Sequence, residues 1–459
     1  MDPVETSVLN LQQLPDDVLV MVMQYLDVED VLACRLVCKR LCGLALDRDI
    51  WRHRSFDDDD SCAGVVLRLA PCLDTLTLTD DVPTTTRCSV AHLILRPYDT
   101  FNAAGYASAV RLQESYGRLR SLELYCSDVG LKTTNDVLLR TVVSCSDLES
   151  LGVFGQLPRT SPPVLQGPPR SSLKNFQYEV YEYSPFFVHT ILTAHAATLE
   201  KVDLSSGFSI EDTTTTALLA ALPRLKSLRC NASMADLEAV AACRTLRDIS
   251  IYLGESNVVL QAAAKFFRRA NQLRSVCLPY GEPDETAVLV EALASSGRSQ
   301  LERLYLRCHE DVTGTLVRAL PALPALRHLD FSEVTPDDDK LLLSITPATA
   351  PALRTMEFGC WGRCPHPWIH RAAVKATLAA NTSLHILLGY GPICVLQNCG
   401  ACVAGCHQQV NWREGGIRKI GLFAHDQDKC PSPDVHTDHS NNGNQWNRGG
   451  SLKCTWIHM

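Results

Sequence analysis

Apolar residues follow two patterns along this chain, one helical and one strand-like. Near the start they stand at Val18, Leu19, Val22, Met23 and Leu26. That spacing of one, three, one and three is one face of an α-helix. Pro15 suits the first helical position, and Asp16 and Asp17 suit the first turn. Asp27 is placed to cap a second helix, with Glu29 and Asp30 in its first turn and Val31, Leu32 and Leu36 on its apolar side. A third helix is expected to hold Val37, Leu41, Leu44 and Ala45, after which residues 47–51 turn the chain and offer Trp51 as an anchor. Some forty residues in three helices make a thin core. Part of this apolar surface is therefore expected to belong to a partner or to the domain that follows.

Beyond the acidic run Asp57 to Asp60 the pattern changes to apolar-x-x-apolar-x-apolar and keeps returning. It reads Leu73/Leu76/Leu78, Val90/Leu93/Leu95, Leu119/Leu122/Leu124 and Leu148/Leu151/Val153 in the first third. It continues through Leu173/Phe176/Tyr178 and Leu199/Val202/Leu204 to Leu353/Met356/Phe358, with a degenerate thirteenth copy at Leu384 and Leu387. Successive first positions lie roughly 17 to 31 residues apart, about 26 on average, within the period of leucine-rich repeats. The last two apolar residues of each copy alternate as in a strand and share one buried face. Helix-like stretches fill the intervals, for example residues 217–222, 288–293 and 340–343. Strand plus helix, repeated, predicts an α/β solenoid with a curved parallel sheet lining the concave side and helices on the convex side.

The residues that open the chain carry a resemblance. Leu14-Pro15, the apolar first helix, Val37-Cys38-Lys39-Arg40 and the late Trp51 together resemble an F-box. The family often has Trp after its Cys-Lys-Arg, whereas Leu41 stands here. The resemblance implies docking to a Skp-type adaptor through Leu14, Pro15, Val18, Leu19, Met23, Leu26, Val37, Cys38 and Trp51. Cys145 and Cys243, each three residues before a repeat leucine, resemble the cysteine-containing leucine-rich repeats of many F-box proteins. The chain departs from typical repeats in one respect: Ser127, Gln156, Tyr181, Gly207, Ser233 and His309 stand where Asn or Cys usually satisfies the turn amides. Those turns must be satisfied by other groups.

The expected organisation is an F-box over 12–54, an acidic linker leading into the solenoid over 55–72, the repeats over 73–393, and a Cys/His-containing tail over 394–459 that lacks order. Residues between the buried apolar positions face the concave side. Aromatic and Arg side chains dominate interface hot spots, so Tyr125, Phe154, Tyr252, Arg303, Tyr305 and Arg307 are the substrate-binding candidates. A Pro-rich insert over 155–172 cannot be helix or central strand. It is either a loop without order at the solenoid edge or a loop that touches substrate.

Composition narrows the function. A net charge of -8 argues against nucleic acid as a partner, and Lys39 and Arg40 are too few for a DNA-reading helix. No apolar stretch approaches the length of a membrane span, and the first ten residues do not read as a signal peptide. The 20 cysteines are accordingly expected to be reduced thiols in cytoplasm or nucleus, and Cys34, Cys145, Cys243 and Cys277 to behave as small hydrophobes. Cys394, Cys399, Cys402, Cys406 and His407 include a C-x2-C half-site of the kind that binds zinc, but a second half-site at ribbon spacing is missing. They are weak metal candidates, and no cofactor is expected.

No catalytic constellation or phosphate-binding loop stands out. The combined expectation is a non-catalytic substrate receptor of an SCF-type ubiquitin ligase, with a Skp-type adaptor, a cullin scaffold and a protein substrate as partners. A repeat scaffold without a ligase role, or a metal-binding protein acting through the C-terminal cysteines, stays open on the sequence.

Overall fold

The computed structural model describes residues 13–79, 86–97, 102–126, 136–155, 170–181, 183–205, 210, 212–253, 256–279, 282–295, 299–307, 312–331, 339–359, 365–390, 418–426, 430 and 454–459. The chain divides into two compact units, Met1–Gly207 and Phe208–Met459.

The first unit begins with four helices: α1 (Asp16–Gln24), α2 (Val28–Val37), α3 (Lys39–Leu44) and α4 (Arg48–Trp51). Pro15 stands one residue earlier than the sequence suggested, at the N-cap of α1, with Asp16 and Asp17 in the first turn. Asp27 is the N-cap of α2. Strand–helix units follow directly: β1 (Ser55–Asp57), α5 (Ala63–Leu69), β2 (Cys72–Leu78), β3 (Ser89–Leu95), α6 (Ala103–Ser115), β4 (Ser121–Cys126), α7 (Asp136–Val143), β5 (Ser150–Gly155), β6 (Asn175–Val180), α8 (Pro185–Ala194) and β7 (Lys201–Leu204). Neighbouring strands pair in parallel in chain order, with Leu76↔Leu93, Leu93↔Leu122, Leu122↔Leu151 and Leu151↔Phe176 in register. The acidic segment expected to be a linker is instead the first repeat unit, because Phe56 pairs with Leu76 and Val66 and Leu67 of α5 are buried.

The second unit continues the alternation with α9 (Thr213–Ala221), β8 (Ser227–Asn231), α10 (Leu237–Val240), β9 (Asp248–Tyr252), α11 (Asn257–Arg269), β10 (Ser275–Pro279), α12 (Pro283–Ser295) and β11 (Arg303–Arg307). Then come α13 (Thr313–Ala319), β12 (His328–Phe331), α14 (Lys340–Ser344), β13 (Thr355–Gly359), α15 (His366–Ile369), α16 (Ala372–Ala380) and β14 (His385–Tyr390). Strands β8 to β14 are parallel. The apolar triplets of the twelve regular copies are buried throughout. No helix among the described residues is long and apolar enough to cross a membrane.

The thirteenth copy is shifted from the sequence expectation. Met356 pairs with Ile386 and Phe358 with Leu388, so Ile386 and Leu388 point inward and Leu387 is half-buried. A one-residue slip in a strand exchanges its faces. The tail expected to lack order contributes two strands, β15 (Arg418–Phe423) and β16 (Cys454–His458). β15 returns antiparallel along β14, β16 runs parallel to β15, and Ile420, Leu422, Phe423 and Ile457 are buried.

Side chains of several types satisfy backbone groups where the chain passes from a helix into the next strand. Gln113 accepts from the Val90 N–H at 3.0 Å and donates to the Cys88 carbonyl at 3.0 Å. Gln272 donates to the Ala241 and Cys243 carbonyls, and Asn381 to the Ile345 carbonyl. The buried Cys145 and Cys243 thiols donate to nearby carbonyls, Thr141 and Leu222 among them. Burial pushes the Cys88, Cys126 and Cys145 thiols up to about 12, so they are neutral packing groups.

His195 serves the same purpose with a pH dependence. Its Nδ1 accepts from the backbone N–H groups of Ser172 and Leu173 at 3.2 Å each, which requires a neutral ring. Burial lowers it from 6.5 to about 4. The unfolded chain takes up this proton near pH 6.5 and the folded chain only near 4, so the stabilisation is complete above the first value and lost as pH falls to the second. The loss amounts to about 3 kcal/mol. Denaturant unfolding at pH 7.5 and pH 4.5 should show a drop smaller by most of that amount in His195→Gln, which keeps an acceptor but cannot titrate. Equal drops in both proteins would remove His195 as the cause.

Candidate binding surfaces

Helix α1 divides its apolar residues between two faces. Leu19 and Met23 turn inward and are buried, while Val22, Met21 and Tyr25 are exposed. Val18, Leu14 and Leu26 are half-buried and Pro15 is exposed. The end of α2 adds Leu36, 88% exposed, and Val37, 69% exposed, followed by the exposed Cys38. Trp51 lies inside, 0% exposed. Of the sequence-derived adaptor set, Leu19, Met23 and Trp51 are thus core residues, and Pro15, Val37 and Cys38 are the most accessible. The sequence reading missed Met21 and Tyr25, although positions 18, 21, 22 and 25 carry the i, i+3, i+4, i+7 signature of a second face.

Two arginines hold these helices in place: Arg40, part of the Val37-Cys38-Lys39-Arg40 motif, and Arg54, which the sequence reading missed. Arg40 pairs with Asp16 at 2.6 Å and donates to the Leu14 carbonyl at 2.5 Å, fastening the start of α1 to α3. Arg54 donates to the carbonyls of Ile50 at 2.8 Å, Met23 at 2.9 Å and Leu26 at 2.7 Å. It thereby caps the Leu26 carbonyl after α1 and adds a second donor to the Met23 carbonyl, which also accepts from the Leu26 N–H. The Arg54 carbonyl in turn accepts from the Asp74 N–H at 2.9 Å, tying the helices to β2.

A second surface is formed by the outward side chains of the repeat strands. In the first unit Tyr125 and Phe154 occupy matched positions on β4 and β5 and stack with centroids 4.6 Å apart and planes 17° apart. Arg96 lies 4.5 Å from the Tyr125 ring centroid, and the Tyr125 hydroxyl bonds Glu123 at 3.0 Å. Phe154 lies flat because residue 152 is glycine; a Cβ there would sit 2.8 Å from the Phe154 ring. Together these residues present an arginine–aromatic ladder in which Arg96 is exposed and Tyr125 and Phe154 are half-buried, the composition of an interface hot spot.

In the second unit Tyr252 lies under Arg229, 4.9 Å from the ring centroid, and Arg303 pairs with Asp248 at 3.4 Å. Arg307 is half-buried at the end of β11. Tyr305 departs from the expectation of a contact residue: it is only 8% exposed and packs against His328 at 5.2 Å. Burial raises its hydroxyl to about 12 and lowers the His328 imidazole to about 4. The structure therefore brings the candidates into one aromatic cluster in the first unit and a mixed charged and aromatic row in the second.

Residues Cys394, Cys399, Cys402, Cys406 and His407, and residues 156–169 of the Pro-rich insert, lie outside the described residues.

Comparison with known proteins agrees with the N-terminal geometry. The F-box-like family model matches residues 11–57. No curated protein matches the chain. Among solved structures, the Rad7 and Elc1 complex of yeast is similar at 13% identity and a TM-score of 0.33, over 75% of this chain and 88% of that chain, a likeness too loose to bear on function. The chain carries an F-box-like domain at its N-terminus, followed by parallel strand–helix repeats.

Proposed function

We propose that this protein is the substrate-recognition subunit of an SCF-type ubiquitin ligase. The F-box-like helices dock a Skp-type adaptor, which links them to a cullin, and the outward strand face holds a protein substrate. The observation that carries the reading is the exposure of Met21, Val22, Tyr25, Leu36 and Val37 within the F-box-like match. Large apolar side chains left in water on a small helical unit are the material of an interface core. In this reading Pro15, Val18, Val37 and Cys38 touch the adaptor, while Leu19, Met23 and Trp51 act by shaping the helices that present them. The protein does no bond chemistry; it raises the concentration of substrate lysines near the ligase machinery. The arginine–aromatic ladder of Arg96, Tyr125 and Phe154 is the substrate anchor with the best hot-spot chemistry.

Affinity capture of the intact chain tests this. Adaptor and cullin should both co-purify, at levels comparable to those recovered with another F-box protein. Capture of neither, under conditions that succeed with that control, would exclude the ligase reading and leave a repeat scaffold.

A further inference from the structure

Two clusters of metal-ligating side chains occur among the described residues, both in the second unit. One joins His328, Asp330 and Glu357. It already contains its cation, because Lys419 of β15 reaches across to bond Glu357. The other joins His385, His425 and Cys430 with no lysine or arginine among them, and their ligand atoms all lie within 4.8 Å of one another.

We infer that His385, His425 and Cys430 form a zinc site that pins the antiparallel return strand to the last parallel strand of the repeats. Two imidazoles and a thiolate are a donor set suited to zinc. The Cys430 Sγ lies 3.4 Å from His385 Nε2. Two ligands of one tetrahedral zinc, with bonds near 2.3 and 2.0 Å, stand about 3.5 Å apart. The remaining nitrogen of His385 faces the Arg354 carbonyl at 3.3 Å. Donating there leaves the Nε2 lone pair directed at Cys430, the outer-shell arrangement that orients ligating histidines. His425 has a backbone hydrogen bond with Thr382, which holds it in a similar way. Both imidazoles are buried, and His385 meets His425 edge-on at 4.8 Å and Trp456 at 5.7 Å. The site is thus walled by aromatic groups and half-open on the cysteine side.

The fold gives such a site a purpose. β15 is the first strand to run against the others, and β16 follows it. The last unit of a repeat array has no further repeat to cover it and needs a cap. His385 belongs to β14, His425 follows β15, and Trp456 belongs to β16. A metal held by the first two and Cys430 joins the cap at its seam. Three protein ligands fill three positions of a tetrahedral ion and leave the fourth to water. On binding, the Cys430 thiol releases its proton to solvent.

The test uses the full chain purified without chelator. One zinc per chain is expected, and Co2+ exchanged into its place should give the intense visible bands of a tetrahedral ion with one thiolate ligand. Zinc should slow alkylation of Cys430 in the unmodified protein by at least about tenfold, read by mass spectrometry, and chelation should reverse this. Cys430→Ser combined with His425→Gln should abolish stoichiometric zinc, whereas serine at Cys394, Cys399, Cys402 and Cys406 should leave it. Cys430 alkylation indifferent to zinc in the unmodified chain would overturn the proposal even if the variants failed to fold. So would zinc that follows the 394–406 cysteines instead.

Discussion

Leu36→Lys combined with Val37→Lys should cost at least about a hundredfold in affinity for a purified Skp-type adaptor while leaving the thermal midpoint of the chain almost unchanged. Fully burying a side chain of this size contributes roughly 1.5–3 kcal/mol, and a desolvated ammonium in its place adds a further penalty. Two such positions are therefore ample for a hundredfold loss, which is about 2.7 kcal/mol. The fold should tolerate the change because both side chains are largely in water, where substitutions shift stability by within about 0.5 kcal/mol. The choice of lysine matters. Both positions lie in the last turn of α2, where a cation complements the helix dipole and a carboxylate opposes it. Titration of the adaptor against immobilised protein, with melting followed by circular dichroism, separates the two effects. Unaltered affinity would remove the end of α2 from the docking face.

Residues differ in how far the sequence discloses what they do. The repeat strands were legible because a buried strand face needs apolar residues at alternating positions whatever its neighbours are. Leu304 and Leu306 follow that rule, and both are buried. The thirteenth copy was misaligned because Leu384, Ile386, Leu387 and Leu388 are all apolar, and only pairing with Met356 and Phe358 decides which face each takes. β15 and β16 were missed for a related reason. Their surroundings are rich in polar residues and glycine, and the partner that buries Ile420 and Leu422 is β14, some thirty residues upstream.

The functional surfaces divide in the same way. Tyr125 and Phe154 were legible as outward residues from strand alternation. Their stacking, and the place of Arg96 over them, depends on a register between strands that no local pattern reveals. On α1 the apolar run was visible, but Leu19 and Val22 were assigned to one face when the packing of α4 draws only Leu19 and Met23 inward. His385, His425 and Cys430 have no recognisable spacing, since a distant strand supplies one of the three. The denser cysteines at 394–406 drew attention first.

Trp51→Ala should be the most damaging single substitution in the N-terminal helices, destabilising them by about 3–5 kcal/mol. The side chain is completely buried. Its indole N–H donates to the Ala45 carbonyl at 2.7 Å, closing the turn between α3 and α4. The ring also lies beside the Arg54 guanidinium, at 5.8 Å. Arg54 gathers the Met23, Leu26 and Ile50 carbonyls, so removing the ring loosens the group that joins α1, α4 and β2. A helical core this thin cannot absorb such a loss, whereas the repeats keep their own buried strands. Two transitions should therefore replace one, with residues 16–54 opening first in hydrogen exchange and in limited proteolysis. Trp51→Phe separates volume from hydrogen bonding: it retains much of the packing and leaves the Ala45 carbonyl without its donor, a cost of about 1–3 kcal/mol. Adaptor binding should fall in Trp51→Ala as well, but recover on cooling as the helices refold. The loss caused by lysines at 36 and 37 should persist at every temperature. A Trp51→Ala protein that melts in one step at the original midpoint would show that the ring does not hold these helices together.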